Sequence, residues 1–286
     1  MLLTMSVLTL PEGSINVRDT GSGPPIVFVH GLLVDGTVWR KVVPLLSDEY
    51  RCVWPDWPLG SHVTPMNADA DLSPRGVAHL IADALAALEL DDVTLVGNDT
   101  GGAICQLLVT ERPERIGRLV LTNCDAFENF PPTLFKPLVW MARVPGLLYA
   151  NMQPMRIRRM RRLPIAYGML TTEPVPAEVS DGWVRPFLSD AGIRRDAVKL
   201  LRGVDPRDLI AAGERLRGFD RPALLAWGTA DRAFKLSDAY RLAERLPQGR
   251  VEQIPGARTF VSEDAPERLA RLIADFARSE AGATAG

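Results

Sequence analysis

The sequence predicts an α/β fold: a mostly parallel, eight-stranded sheet flanked by helices, with a helical block inserted after the sixth strand. Three observations predict it. Short, continuous apolar runs such as Pro25 to His30 and Val93 to Val96 read as strands covered on both faces. They alternate with helix-spaced segments, a rhythm that implies right-handed crossovers and parallel neighbours. The rhythm breaks at Asn123 and resumes at Pro222. In between, helical stretches are separated by Pro131, Pro132, Pro145, Pro154, Pro164, Pro174 and Pro176, with no convincing strand.

Each element has a local reason. Met5 to Leu10 and Ser14 to Asp19 alternate around Pro11-Glu12-Gly13, which predicts a hairpin. Pro25 to His30 is the third strand, ending in His30-Gly31-Leu32-Leu33, and Trp39 to Leu46 predicts a helix. Arg51 to Pro55 is a short strand closed by the loop Asp56 to His62. Asp71-Leu72-Ser73-Pro74 signals a helix start, with Ser73 as N-cap and Pro74 in the first turn. Val77, Leu80, Ile81, Ala84, Leu85 and Leu88 then fall on one face. Val93 to Val96 forms a strand, followed by a tight turn, a helix to about Arg112 and a strand over Arg118 to Thr122. After the inserted block come a strand over Pro222 to Trp227, a helix over Leu236 to Leu246, a strand over Arg250 to Ile254 and a helix over Ala265 to Ala277. The expected organisation is a core of residues 1–124 and 207–278, a helical cap of residues 125–206 and a disordered tail, 279–286.

With 286 residues the chain can bury a sizeable core. A net charge of -2 argues against nucleic acid or an anionic membrane as the main partner. Cys52, Cys105 and Cys124 have no CxxC spacing, so neither a disulfide framework nor a zinc site is suggested. Met1 to Leu10 is apolar but too short to span a bilayer, and it lacks the flanks of a signal peptide. The expectation is a cytoplasmic protein acting on a small molecule, with no metal or organic cofactor and no nucleic-acid or membrane partner. Monomer and homodimer both remain open.

The chemistry centres on Gly97-Asn98-Asp99-Thr100-Gly101-Gly102, between a buried strand and a packed helix. Its glycines permit a strand-to-helix turn too tight for large side chains. Such a turn holds Asp99 out at the strand's carboxyl edge, above a helix amino terminus that favours an ionised carboxylate.

The combination of His30-Gly31, the turn at Gly97 to Gly101, the inserted helices and Trp227-Gly228-Thr229-Ala230-Asp231 resembles the α/β-hydrolase fold over about residues 5 to 278. Asp at the elbow, followed by Thr100-Gly101-Gly102, is most similar to the branch containing haloalkane and haloacetate dehalogenases and epoxide hydrolases. That resemblance implies a carboxylate that attacks an sp³ carbon to form an ester, which water then hydrolyses. It implies Asp99 as nucleophile and the N–H groups of Leu32 and Thr100 as the pair that stabilises developing charge. It also implies Asp231 as the acid orienting a base, Asn123 near the pocket floor, and substrate contacts from the cap.

The same resemblance requires a histidine after the last strand, and the matching position is Thr259. The only histidines, His30, His62 and His79, all precede Asp99. Three readings follow. His62, on the loop after the fourth strand, is a candidate relocated base. Alternatively, Asp99 and Asp231 form a coupled pair whose repulsion raises one pKa, which suits proton abstraction in a lyase, isomerase or cyclase. In the third reading the cavity binds a ligand without chemistry. Candidate substrate contacts are His30, Asn123, Trp140, Tyr149 and Tyr167, with Met141, Met152, Met155 and Trp183 as further apolar wall. The basic run Met155 to Arg162 reads as a solvated face or as an arginine clamp for an acidic substrate. Asp125 and Glu128 read as potential acids, with N-capping as their ordinary use.

Overall fold

The computed structural model describes residues 4–281, with side chains to residue 278. Its sheet has eight strands: β1 (Thr4–Leu10), β2 (Gly13–Thr20), β3 (Pro25–Val29), β4 (Arg51–Val53), β5 (Val93–Asp99), β6 (Ile116–Cys124), β7 (Ala223–Gly228) and β8 (Gly249–Ile254). Their spatial order is β1-β2-β4-β3-β5-β6-β7-β8. The β1–β2 and β2–β4 pairs are antiparallel and the rest parallel. β5 lies centrally and is buried at every residue, which matches its unbroken apolar start.

Helix α1 (Pro74–Ala87) begins as its sequence predicts: Ser73 Oγ accepts from the Gly76 N–H and Pro74 occupies the first turn. Helix α2 (Thr100–Glu111) follows β5 directly and packs against α1. The helix predicted over Trp39 to Leu46 is instead two 3₁₀ turns, Gly36–Trp39 and Val43–Leu45. Asp35 caps the first by accepting from the Thr37 N–H, and Pro44 supplies no N–H to bridge the two into an α-helix.

Between β6 and β7 the described chain has no named strand. It forms α3 (Lys136–Ala142), α4 (Leu147–Met152), α5 (Ala177–Ser189), α6 (Ala191–Arg202) and α7 (Pro206–Arg215), joined by proline-bearing turns. α7 packs on α2, whereas α3 to α6 pack on one another. This layer is fastened to the carboxyl edge of the sheet. Trp183 Nε1 donates to Thr37 Oγ1 at 2.9 Å, Ser61 Oγ to the Trp183 carbonyl at 2.6 Å, and the Phe260 N–H to the Leu170 carbonyl at 2.8 Å. After α8 (Leu236–Arg245) and the short α9 (Val261–Asp264), α10 runs over Pro266–Ala281, past the predicted end at Ala277. Of the expected tail, residues 279–281 continue this helix and residues 282–286 lie outside the described residues.

Among the described residues no helix is long and apolar enough to cross a membrane.

Candidate active site

Asp99 stands at the junction of β5 and α2 with φ 55° and ψ -133°, a conformation unusual for a residue with a side chain. Neighbouring backbone over-determines it. A Cβ on Gly101 would overlap the His30 carbonyl, one on Gly102 would overlap Cys124, and one on Gly31 would overlap Asp99 Oδ2. The elbow therefore needs its glycines for close approach, and such local strain costs about 1–3 kcal/mol that the fold must absorb. The Asp99 carboxylate rests on the bare Cα of Gly31, beside the N–H groups of Leu32 and Thr100.

Burial raises the Asp99 pKa to about 7. The Thr100 N–H opposes that rise, the charge of Asp231 adds to it, and the Leu32 N–H opposes it. The Asp231 charge adds to the rise at Asp99, but loss of water is its larger cause.

Asp231 follows β7 and is saturated with donors. Its Oδ2 accepts from Asn123 Nδ2 at 2.8 Å and Thr259 Oγ1 at 2.9 Å. Its Oδ1 accepts from the N–H groups of Ala233 at 2.7 Å and Phe234 at 3.2 Å. Burial still raises its pKa against those four bonds. The Thr259 hydroxyl is thus the group that faces this acid. Thr259 is itself fixed by Asn98, whose Nδ2 donates to its carbonyl at 2.7 Å.

Asn123 does not line the cavity. Its amide clasps Gly228, donating to the Gly228 carbonyl at 3.0 Å and accepting from its N–H at 2.6 Å, and so positions Asp231.

The histidines are all committed elsewhere. His30 Nδ1 donates to the Gly31 carbonyl and Nε2 accepts from the Trp57 N–H, each at 2.9 Å. Burial lowers its pKa to about 4, so the ring is neutral and pins two loops together. It is a structural residue, not a substrate contact. His62 lies against the fully buried Asp196 of α6, with Nε2 3.2 Å from Oδ2, and its Nδ1 accepts from the Gly60 N–H. It ties the loop to the helical layer, and the structure does not bring it to Asp99. His79 Nε2 lies 2.9 Å from Glu111 Oε2.

Above Asp99 is a cavity of about 480 Å³ between the sheet edge and the helical layer. Leu32, Asp99 and Thr100 meet there with Tyr167, and leucine, proline, phenylalanine and methionine form most of its wall. Tyr167 lines the cavity, with its hydroxyl committed to the Leu33 carbonyl at 2.7 Å. Met141, Met152 and Met155 line the cavity, and Trp183 is buried beside it without lining it. Two further predicted contacts are corrected. Trp140 is 61% exposed, because α3 turns Pro137, Leu138 and Met141 inward and leaves the indole outside. Tyr149, on α4, carries the Arg194 guanidinium 4.4 Å above its ring and does not line the cavity.

None of the arginines in the basic run lines this cavity either. Arg161 and Arg158 pair with Asp181. Glu128 pairs with Arg241 on the surface. Asp125 is not a helix cap: it is buried at the end of β6 and lines the cavity next to Thr100. Among the described residues no group of three or more His, Cys, Asp or Glu side chains is arranged to hold a metal ion.

Known proteins share this fold. The sequence profile of the α/β hydrolase fold matches residues 24–266. Haloalkane dehalogenase 2 of Mycobacterium bovis is 28% identical over 274 residues, which cover 92% of this chain and 91% of that protein. A loop variant of haloalkane dehalogenase DbeA from Bradyrhizobium elkanii has a TM-score of 0.80 at 20% identity, covering 98% of this chain and 99% of that one. Epoxide hydrolase CorEH has a TM-score of 0.79 at 17% identity, covering 96% of this chain and 98% of that one. At these identities the two structures bear on the fold alone. The profile match over most of the length, on a sheet of this order with an elbow after β5, shows that the chain belongs to the α/β hydrolase fold family.

Proposed function

We propose that this protein is an enzyme that acts on a small, largely apolar molecule through the carboxylate of Asp99, which attacks as a nucleophile. One observation carries the reading. Asp99 is held on a strained elbow, against the Leu32 and Thr100 N–H groups, at the floor of a mostly apolar cavity. An Asp99 oxygen would form a bond to an sp³ carbon while the leaving group departs with its electron pair. The carbonyl oxygen of the resulting ester would remain beside the two N–H groups. Hydrolysis of that ester requires a base for water. Thr259, which donates to Asp231, cannot serve as one, and none of the three histidines is placed to. The expected behaviour is fast reaction and slow release.

Peptide-mapped mass spectrometry after incubation with a short alkyl halide or epoxide tests this. The expected result is one covalent increment on the Asp99 peptide, absent in Asp99→Asn. Thr259→His is expected to release it, at a packing cost of about 1–3 kcal/mol because position 259 is fully buried.

A second reading has its own support. A carboxylate with a pKa of about 7 is poised for general-base catalysis at neutral pH, as in a lyase, isomerase or cyclase. Turnover that Asp99→Asn abolishes, with no adduct at any time, selects that reading over the nucleophile. Ligand affinity retained in Asp99→Asn, with neither adduct nor turnover in the wild type, marks a binding protein.

A further inference from the structure

Charge is segregated along the helical layer. Between Glu128 and Glu173 the chain has no aspartate or glutamate and seven lysines and arginines, five of them from Arg156 to Arg162. The same stretch holds six exposed large apolar side chains: Leu134, Trp140, Val144, Ile157, Leu163 and Ile165. Ile165, at 79%, is the most exposed large apolar side chain among the described residues. Leu134, Leu163 and Ile165 also line the cavity above Asp99, so they form its lip. Exposed apolar side chains gathered in one place mark an interaction surface.

The local backbone sets cations and apolar groups side by side. Arg158–Arg162 is a 3₁₀ turn flanked by Ile157 and Leu163, and in that geometry side chains three apart stand one above another. Three rows result. Arg158 and Arg161 both reach Asp181 on α5. Ile157, Met160 and Leu163 form the second row, of which Met160 and Leu163 line the cavity. Arg159 and Arg162 form the third. Both are exposed, and their side chains make no ion pair or hydrogen bond among the described residues. Lys136 and Arg143, at the ends of α3, are exposed and equally without a partner.

We propose that this lip is a docking surface for an anionic lipid bilayer. Leu134, Ile157, Leu163 and Ile165 enter the acyl boundary, Arg159 and Arg162 bind lipid phosphates, and the cavity opens toward the membrane. The proposal goes beyond the reaction at Asp99 and holds whether or not that residue reacts.

The expectation of no membrane partner rested on a net charge of -2, a total that conceals this local excess of cations. An anionic bilayer supplies both things the lip lacks: apolar depth for side chains that now face water, and phosphates for unpaired guanidinium groups. A second copy of this chain would set the same cations against one another across a two-fold interface. Nucleic acid would match the arginines but leave the aliphatic side chains against a charged backbone.

The test sediments the full chain with vesicles of phosphatidylcholine containing about 30% phosphatidylserine, and with vesicles of phosphatidylcholine alone. Binding is expected to the mixed vesicles, weakly or not at all to the neutral ones, and is expected to fall as salt rises. Arg159→Glu with Arg162→Glu, and separately Ile165→Ser, are each expected to weaken it about tenfold. The melting temperature is expected to stay unchanged, because the replaced side chains are exposed. Arg271→Glu, at an exposed position of α10, is expected to change binding less than about twofold. Insertion is read with Ile165→Trp in a Trp140→Phe background, where the remaining tryptophans are buried and a change in emission reports position 165. That emission is expected to shift to the blue on mixed vesicles and to be quenched by brominated acyl chains. No binding, equal binding to both kinds of vesicle, or lip variants that bind like the wild type overturn the proposal. A loss in Arg271→Glu as large as in the double arginine variant overturns it too. Charge-dependent binding with no change in emission at position 165 also overturns it, and marks a soluble acidic partner instead.

Discussion

Replacing Asp99 by asparagine is expected to remove a pH dependence of stability. In the unfolded chain this carboxyl group loses its proton near its ordinary value of 3.8, whereas in the folded protein burial holds the proton to about pH 7. Each tenfold change in protonation is worth about 1.4 kcal/mol, so ionising Asp99 costs about 4 kcal/mol more in the folded state. Because the folded pKa is the higher one, the folded state binds more protons between those values, and raising the pH favours unfolding. The contribution is fully present below about pH 4, is lost as pH rises through about 7, and is constant above that. From about pH 5 to about pH 8 the wild type is expected to lose about 2.5 kcal/mol that Asp99→Asn keeps. Asp125 and Asp231 are present in both proteins, but Asp99→Asn also removes the Asp99 charge that acts on Asp125, so the difference between the two curves reports Asp99 together with its coupling to Asp125. Urea unfolding at several pH values measures it. Parallel curves for the two proteins would refute the claim that Asp99 is desolvated, and with it the argument that its reactivity is tuned by burial.

Gly31→Ala places a methyl group where Asp99 Oδ2 now lies. Displacing the carboxylate is expected to slow adduct formation about a hundredfold, read by mass spectrometry, with a smaller change in melting temperature. His62→Gln is expected to leave the adduct rate unchanged and to destabilise the protein by about 1–3 kcal/mol, because Asp196 loses a buried partner. A slowed adduct in a stable His62→Gln would restore that histidine to the site.

The elbow was legible because chain geometry allows few residues there: glycines at 97, 101 and 102 mark close approach, and the apolar run before them marks a central strand. The hairpin, the Ser73 cap and the succession of strands along the chain were legible for similar local reasons. The facing of the short helices was not. α3 and α4 have seven and six residues, too few turns for periodicity to say which side is inward, and Trp140 and Tyr149 were misplaced for that reason. His62 was misplaced because its partner, Asp196, is 134 positions away. For Asp125 the sequence leaves a cap and an acid both open, because an acid before a helical stretch is usually a cap. Here no helix starts until Thr133, and β6 extends to Cys124, which carries the next residue to the cavity. The signal for Asp125 was its position at the end of a central strand, where α/β proteins place their sites.

The most direct test of the central claim, that Asp99 is the reactive carboxylate, is the rate at which a short alkyl halide or epoxide labels the Asp99 peptide as a function of pH. The account predicts a single labelled site, a rate that rises about tenfold per pH unit up to about pH 7 and levels above it. A label on another residue, or an Asp99 label whose rate does not change across that range, would contradict it.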